Sequence, residues 1–429
     1  MSKTSPTNET TIETDVVIVG AGPAGCVLGY LLARSGVETV LLERQQSLER
    51  EFRGFLFQPL ILRVFDQMGV LDRVLTLEHT KVRDIAVDVY DRSYPIMSLE
   101  AAPGPYNYAL LMEQPPLLQV LIDAASQFDS FSYRNGTAAT DLLCEGNQVI
   151  GVEATDREHD ESITIRNRLV VGADGRYSTV RKAAGIDPGL FESTLELLWF
   201  KLPATVIEDP VLAKVGTSGA LLSFGLGRDE AQLGWPIEKG SYPQVKEQGI
   251  GQLHEQLVAI DPSLATILPE YLTDFQQCSL LHIEPGISHE WRQNGLLLVG
   301  DAAHVASPVG GQGNGMAIQD VVVAHSVIMT ALNQTTGLIP AETLRRYESI
   351  RRPAVKEVVR FQRRAERPFS TFVKYGDVVP DGMKRPLLRS LFWGISRTPL
   401  PKQARDTFMW GPAPVDVDTS YLMDVSQEK

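Results

Sequence analysis

Six residues near the N-terminus constrain the fold more than any other part of the chain: Gly20-Ala-Gly22-Pro23-Ala24-Gly25. They follow Asp15-Val-Val-Ile-Val, a short apolar run of the kind that forms a strand buried on both faces. They open the stretch Cys26 to Arg34, whose apolar residues recur at helical spacing and which Ser35-Gly36 stops. A second apolar run, Thr39-Val-Leu-Leu, ends on Glu43. Strand, turn, helix and strand make a βαβ unit, whose crossover is right-handed. In such a unit Gly20 permits the tight turn, Gly22 lets a pyrophosphate approach the backbone, and Gly25 lets the helix pack against the strand. Free amides and the dipole at the helix start favour an anion. Glu43 suits the ribose hydroxyls of an adenosine and repels a 2′-phosphate. A glycine pattern alone is a weak signal. Its place between strand and helix, with an acid closing the next strand, points to a dinucleotide. On this motif the dinucleotide is FAD or NAD.

The rest of the composition narrows the class. A chain of 429 residues suggests two or three structural units, and 43% hydrophobic with 22% charged residues is ordinary for a globular protein. A net charge of −13 argues against nucleic acid as partner, because phosphate contacts need a basic surface. Cys26, Cys144 and Cys278 form no metal-ligand spacing, so no metal is expected, and their sparseness fits buried free thiols in a reducing cytoplasm. Residues 1–14 are polar, with no apolar core of a signal peptide, and read as a flexible tail. No window reaches 18 uncharged apolar residues, so no transmembrane segment is expected.

Two further motifs lie downstream. Leu169-Val-Val-Gly-Ala-Asp174-Gly175-Arg-Tyr-Ser178-Thr-Val-Arg181 reads as strand, tight turn and helix, with Ser178 as cap. Gly300-Asp301-Ala-Ala-His304 ends another buried strand, and Pro308-Val-Gly310-Gly311-Gln312-Gly313-Asn314 leads into a long helix. A run so rich in glycine exposes backbone amides at a helix N-terminus. By residue type alone, Asp301 suits a chain of sugar-like hydroxyls or the cap of a helix.

Taken together, the three motifs resemble the class A flavoprotein monooxygenases, the p-hydroxybenzoate hydroxylase-like family, in order and spacing. The resemblance implies that FAD is the cofactor, with NADH or NADPH as transient reductant. It implies that Glu43 contacts the adenosine ribose, Asp301 the ribityl chain, and Asp174, Gly175 and Arg181 the pyrophosphate region. Arg44 and Arg53, with Gly54, match the family's arginine positions, and Gln114 its FAD contact at a helix start. Pro308, Gly311, Gln312 and Gly313 would flank the isoalloxazine ring. The sequence departs from the family after Gly313: Asn314-Gly315 stands where the family has a residue and then asparagine, so glycine takes the asparagine's usual place.

The implied fold is α/β: a Rossmann-type FAD-binding domain interleaved with a second domain on a mainly antiparallel β-sheet, plus C-terminal helices. The boundaries expected are a tail over 1–14, the first part of the FAD domain with inserted strands over 15–189, a substrate domain over 190–290, the second part with long helices over 291–366, and a C-terminal helix and tail over 367–429. Residues 59–77 and 341–366 are expected to be helical. Phe200, Phe224, Trp235 and Pro236 are the candidate substrate-pocket residues, in aromatic and β-branched runs that also suit a plain core. No catalytic base can be named. His304 reads as a structural or flavin-site histidine, and His282 and His289 show no partner. The implied reaction is hydroxylation of an aromatic or other electron-rich small molecule through a flavin C4a-hydroperoxide. A reductase or dehydrogenase of the same fold, or a non-catalytic FAD protein, stays open. A flavin halogenase is disfavoured, since its Trp-x-Trp-x-Ile-Pro is absent. The basic and apolar segment Lys384 to Arg397 suits a helix packed on the core, or a peripheral membrane contact. A monomer or homodimer is expected.

Overall fold

The computed structural model describes residues 10–49, 56–100, 104–207, 211–227, 229–375, 379–398 and 400–424. The first strand, Thr10–Val19, sits inside an eight-stranded sheet. Its neighbours run in the order Arg292–Gln293, Leu296–Leu298, Glu161–Gly172, Thr10–Val19, Thr39–Leu42 and Phe131–Arg134. From Leu296–Leu298 to Phe131–Arg134 every pairing is parallel, so the strands that carry the three motifs end side by side on one edge. In open α/β sheets that edge is where ligands bind. Thr10 to Thr14, expected as tail, instead pairs in register with Ile163 to Asn167. β-branched threonine and isoleucine favour that extension of the strand.

Helix Pro23–Ala33 packs against the long helix Gly313–Gln334. Gly313–Gln334 is long and apolar enough to cross a membrane by composition, and 78% of its apolar window is buried in the fold. The helical pattern over 59–77 divides into Pro59–Gln67 and Leu71–Leu75, because Gly69 takes a φ of +70° between them. The helix expected over 341–366 runs over Arg345–Tyr375. None of the three cysteines forms a disulfide among the described residues; Cys26 is buried, Cys278 half-buried and Cys144 exposed.

The second sheet has seven strands: Ser279–His282, Leu195–Pro203, Glu230–Glu238, Gly219–Gly225, Val211–Gly216, Asp84–Val89 and Arg92–Ser98. All its pairings are antiparallel except that of Val211–Gly216 with Asp84–Val89. Alternation along the strands gives it two apolar faces. One carries Leu198, Phe200, Leu233 and Trp235 and packs on Leu253 and Leu257 of the helix Ile250–Ile260. The other carries Leu195, Leu197, Trp199, Leu222 and Phe224 and packs on Leu56, Leu111 and Met409. Phe200 and Trp235, expected in the substrate pocket, therefore belong to the core beneath the helix. Phe224 lies on the opposite face. Pro236 pairs with Leu197 and shares that face.

The C-terminal part forms two helices, Asp381–Ser396 and Leu400–Trp410. Asp381–Ser396 leans Phe392 on Tyr94 with ring centroids 6.1 Å apart, and pairs Arg385 with Asp91 at 2.6 Å. It leaves Met383, Leu387, Leu391 and Trp393 exposed.

Candidate cofactor site

The three motifs converge. Gly20 has a φ of +105°, and a Cβ there would stand 2.7 Å from the Ala173 carbonyl oxygen and 2.8 Å from the Asp174 Cα. A Cβ on Gly25 would stand 1.9 Å from the Gly20 carbonyl oxygen. A Cβ on Gly300, whose φ is +57°, would stand 3.5 Å from the Ala24 Cβ. At positions 20 and 25 only glycine accommodates the approach, and at 300 the positive φ favours it. Helix Pro23–Ala33 starts at Gly22 with no side-chain cap and with proline in its first turn, so its free amides face the turn.

Glu43 is buried at the end of its strand. Its carboxylate accepts the Ala21 amide at 3.1 Å and the Gln45 amide at 3.0 Å, which fixes it beside the glycine turn. Asp174 is turned into its own loop. It accepts the Ser178 hydroxyl at 2.5 Å and the amides of Thr179 and Val180 at 2.6 and 3.1 Å. Burial raises its pKa, against the lowering effect of those donors. Ser178 caps the next helix by accepting the Arg181 amide, as its position predicts. The Arg181 guanidinium donates to the carbonyls of Ala302 at 2.9 Å and Arg176 at 2.7 Å, tying the second motif to the third. Burial lowers its pKa, and Asp174 and Asp301 oppose that.

Behind the third motif stands a buried network that sequence reasoning missed. Asp320, on the long helix, is fully buried and accepts the Gly300 amide at 3.0 Å, His304 Nε2 at 2.6 Å and Arg351 Nε at 2.8 Å. Burial alone would raise the Asp320 pKa, but His304 and Arg351 hold it below its usual range. The signal available was an acid on an otherwise apolar helical face. Its arginine partner, on another helix, had no local signal. His304, read from sequence as a structural or flavin-site histidine, is buried against Asp320. His282, unpaired by sequence, meets buried Glu196 at 2.7 Å. Asp301 is half-buried, and its carboxylate has no hydrogen-bond partner among the described residues.

Two glutamines hold the glycine loop beyond. Gln362 Nε2 donates to the carbonyls of Ser307 and Val309 at 2.9 and 3.0 Å, and its Oε1 accepts the Ser307 amide at 3.1 Å. Gln58 Nε2 donates to the Gly311 carbonyl at 2.7 Å. Gln312 is the last residue before the helix Gly313–Gln334 and does not cap it. Asn314, displaced by one position from the family's asparagine, accepts from Gln114 Nε2 at 3.4 Å. Pro308 is half-buried in this loop. Arg44 is exposed after Glu43, and Arg53 with Gly54 lies outside the described residues. Among the described residues no cluster of three metal-ligating side chains occurs.

The loop reaches the apolar cluster of the second sheet through Leu56. A Cβ on Gly311 would stand 2.6 Å from Leu56 Cδ2, and Leu56 belongs to the apolar cluster of Trp199 and Leu111. There Trp199 lies over Gly234, where a Cβ would meet its ring at 2.6 Å, and faces Phe224 with centroids 6.1 Å apart. The residues present fit an elongated dinucleotide: an uncapped helix start, carboxylates on either side of it, and an apolar face beyond.

Comparison with known proteins agrees. The family described as "FAD binding domain" matches residues 13–362. A 6-methylpretetramide 4-monooxygenase of Streptomyces rimosus is 35% identical over 353 residues, which cover 81% of this chain and 82% of that protein. A rifampicin monooxygenase of Rhodococcus hoagii is 25% identical over 365 residues, covering 80% of this chain and 69% of that one. The crystal structure of p-nitrophenol 4-monooxygenase PnpA from Pseudomonas putida DLL-E4 superposes with a TM-score of 0.76 at 20% identity, covering 93% of this chain and 97% of that one. With the three motifs joined at one sheet edge and a relative of this similarity, the chain belongs to the class A flavoprotein monooxygenases and is an FAD-dependent oxidoreductase.

Proposed function

We propose that this chain hydroxylates an aromatic or other electron-rich small molecule, taking electrons from NADH or NADPH and one oxygen atom from O2, whose second atom leaves as water. The observation that carries this reading is the approach of Gly311 in the glycine loop to Leu56, which packs in one apolar cluster with Trp199, Leu222 and Phe224 of the second sheet. A flat substrate placed there would lie against the loop.

The chain's residues position and enclose. The amides of Gly22, Ala24 and Gly25 hold the pyrophosphate at the helix start. Glu43 receives the adenosine hydroxyls and Asp301 the ribityl hydroxyls. The segment from Asp174 to Arg181 acts by rigidity, since its charged side chains bond within the fold. Pro308 to Asn314 border the ring, and Gln114 orients Asn314. Arg44 follows Glu43 on the adenosine side. When bound, FAD would supply the redox chemistry, hydride acceptance and oxygen activation. Trp199, Leu56 and Leu111 keep water from that space.

A panel of phenols, quinones and polyketide-like aromatics, with 6-methylpretetramide among them, tests the proposal. The expected result is stimulated NAD(P)H oxidation and a product one oxygen heavier, with label from isotopic O2. Product formed without oxygen would favour the reductase reading, and unstimulated oxidation throughout would remove the hydroxylase.

A further inference from the structure

Gln58 precedes the helix Pro59–Gln67 as its N-cap residue, yet its side chain makes no capping bond. The side chain turns instead to the glycine loop. Its Nε2 donates to the Gly311 carbonyl at 2.7 Å. Its Oε1 lies against the first turn of the helix Gly313–Gln334: a Cβ on Gly315 would stand 2.6 Å from it. Any side chain at 315 would displace the amide, so glycine at 315 and glutamine at 58 form a matched pair. Gln58 is 3% exposed, and among the described residues its Oε1 is buried without a hydrogen-bond partner. A buried amide carbonyl left so costs on the order of 1–3 kcal/mol, and buried acceptors in native proteins are otherwise satisfied. The missing partner is a donor.

The layout of the site says what donor comes there. A dinucleotide with its adenosine at Glu43 and its pyrophosphate at Gly22 crosses the strand ends toward Asp301, and its second base reaches the loop and the start of the helix Gly313–Gln334. For FAD that base is the isoalloxazine. Its pyrimidine edge presents a carbonyl, the N3–H and a second carbonyl. First-turn amides of the helix have no carbonyl of their own helix to bond, and so suit the ring carbonyls. Oε1 of Gln58 suits the N–H between them.

We propose that Gln58 Oε1 accepts the N3–H of the bound flavin, while its Nε2 holds the loop at Gly311. This rests on the placement of FAD given above. Gln58 thereby becomes a flavin-binding residue that couples the loop's position to ring occupancy. It also makes the site selective against flavins substituted at N3.

The test titrates apoprotein with FAD and with N3-methyl-FAD, and follows the N3 proton resonance of isotope-labelled FAD. The wild type should bind N3-methyl-FAD about 10-fold or more weaker than FAD, and should protect the N3 proton from exchange. In Gln58→Met, FAD binding should weaken about 10-fold, the discrimination should shrink and the protection should be lost. Equal wild-type affinity for the two flavins, or an N3 resonance unchanged in Gln58→Met, would overturn the proposal while leaving FAD binding intact. If Gln58→Met does not fold, the wild type still decides, since an N3 proton exchanging as in free FAD is fatal to the proposal. A wild type that takes up neither flavin would instead overturn the placement of FAD.

Discussion

His304 and Asp320 meet across 2.6 Å with both side chains out of solvent, and the same carboxylate oxygen takes the Gly300 amide at 3.0 Å. The other oxygen takes Arg351. Asp320→Asn removes the charge that compensates buried Arg351, at a cost of about 3–5 kcal/mol. Urea unfolding should show this loss, and FAD should dissociate more readily because the Gly300 turn is released. A variant as stable as the wild type would show that Arg351 is compensated elsewhere.

Asp301→Ala removes a carboxylate that makes no bond within the described protein. Stability of the apoprotein should change by less than about 1 kcal/mol, while FAD affinity should fall about 10- to 100-fold. Flavin absorbance after gel filtration reads the second effect. Full retention would remove Asp301 from the ribityl assignment.

Gly25→Ala drives a methyl group to within 1.9 Å of the Gly20 carbonyl. Helix and strand must separate, with a penalty of several kcal/mol on the order of an overpacked core. Little folded protein should accumulate, and what does should be colourless.

The two faces of the second sheet make opposite predictions. Trp235→Ala empties a site under the helix Ile250–Ile260 and should lower stability by about 3–5 kcal/mol. KM for the hydroxylated substrate should hold in the protein that folds. Phe224→Ala, on the face toward Leu56, should raise KM and uncouple NAD(P)H oxidation from product. Equal KM effects from the two would place substrate elsewhere.

His325 is fully buried, with Nε2 2.9 Å from the Ser35 hydroxyl. Burial pushes its pKa down from 6.5 to about 4, with Asp418 opposing. The folded state therefore binds this proton less readily than the unfolded chain. Stability is full above pH 6.5 and falls as pH drops toward 4. Between neutral pH and pH about 4.5 the loss from this group is on the order of 2–3 kcal/mol. His325→Gln should flatten that part of the pH–stability curve. An unchanged slope would mean that other groups govern it.

What could be read in advance was what local pattern encodes. Gly20 to Gly25, with Glu43, announced a turn, a helix and a ligand edge because each glycine answers a local steric demand. The Ser178 cap was legible for the same reason. Contacts between distant segments were not. Nothing around Arg351 points to Asp320, and nothing around Gln58 points to Gly311, since both pairs exist only after the helices dock. Phe200 and Trp199 are adjacent aromatic residues, and only the pairing with Glu230–Glu238 decides which one joins the cluster of Leu56. Thr10 to Thr14 looked like tail because a polar strand acquires its meaning from the partner it pairs with.

The Gly300 turn leans on Arg351, so the pocket begun at Gly20 is finished by a residue far downstream. During synthesis, most of the chain must leave the ribosome before flavin can be gripped at both ends. Loading with cofactor is then a late step, completed only after the helix Arg345–Tyr375 has docked.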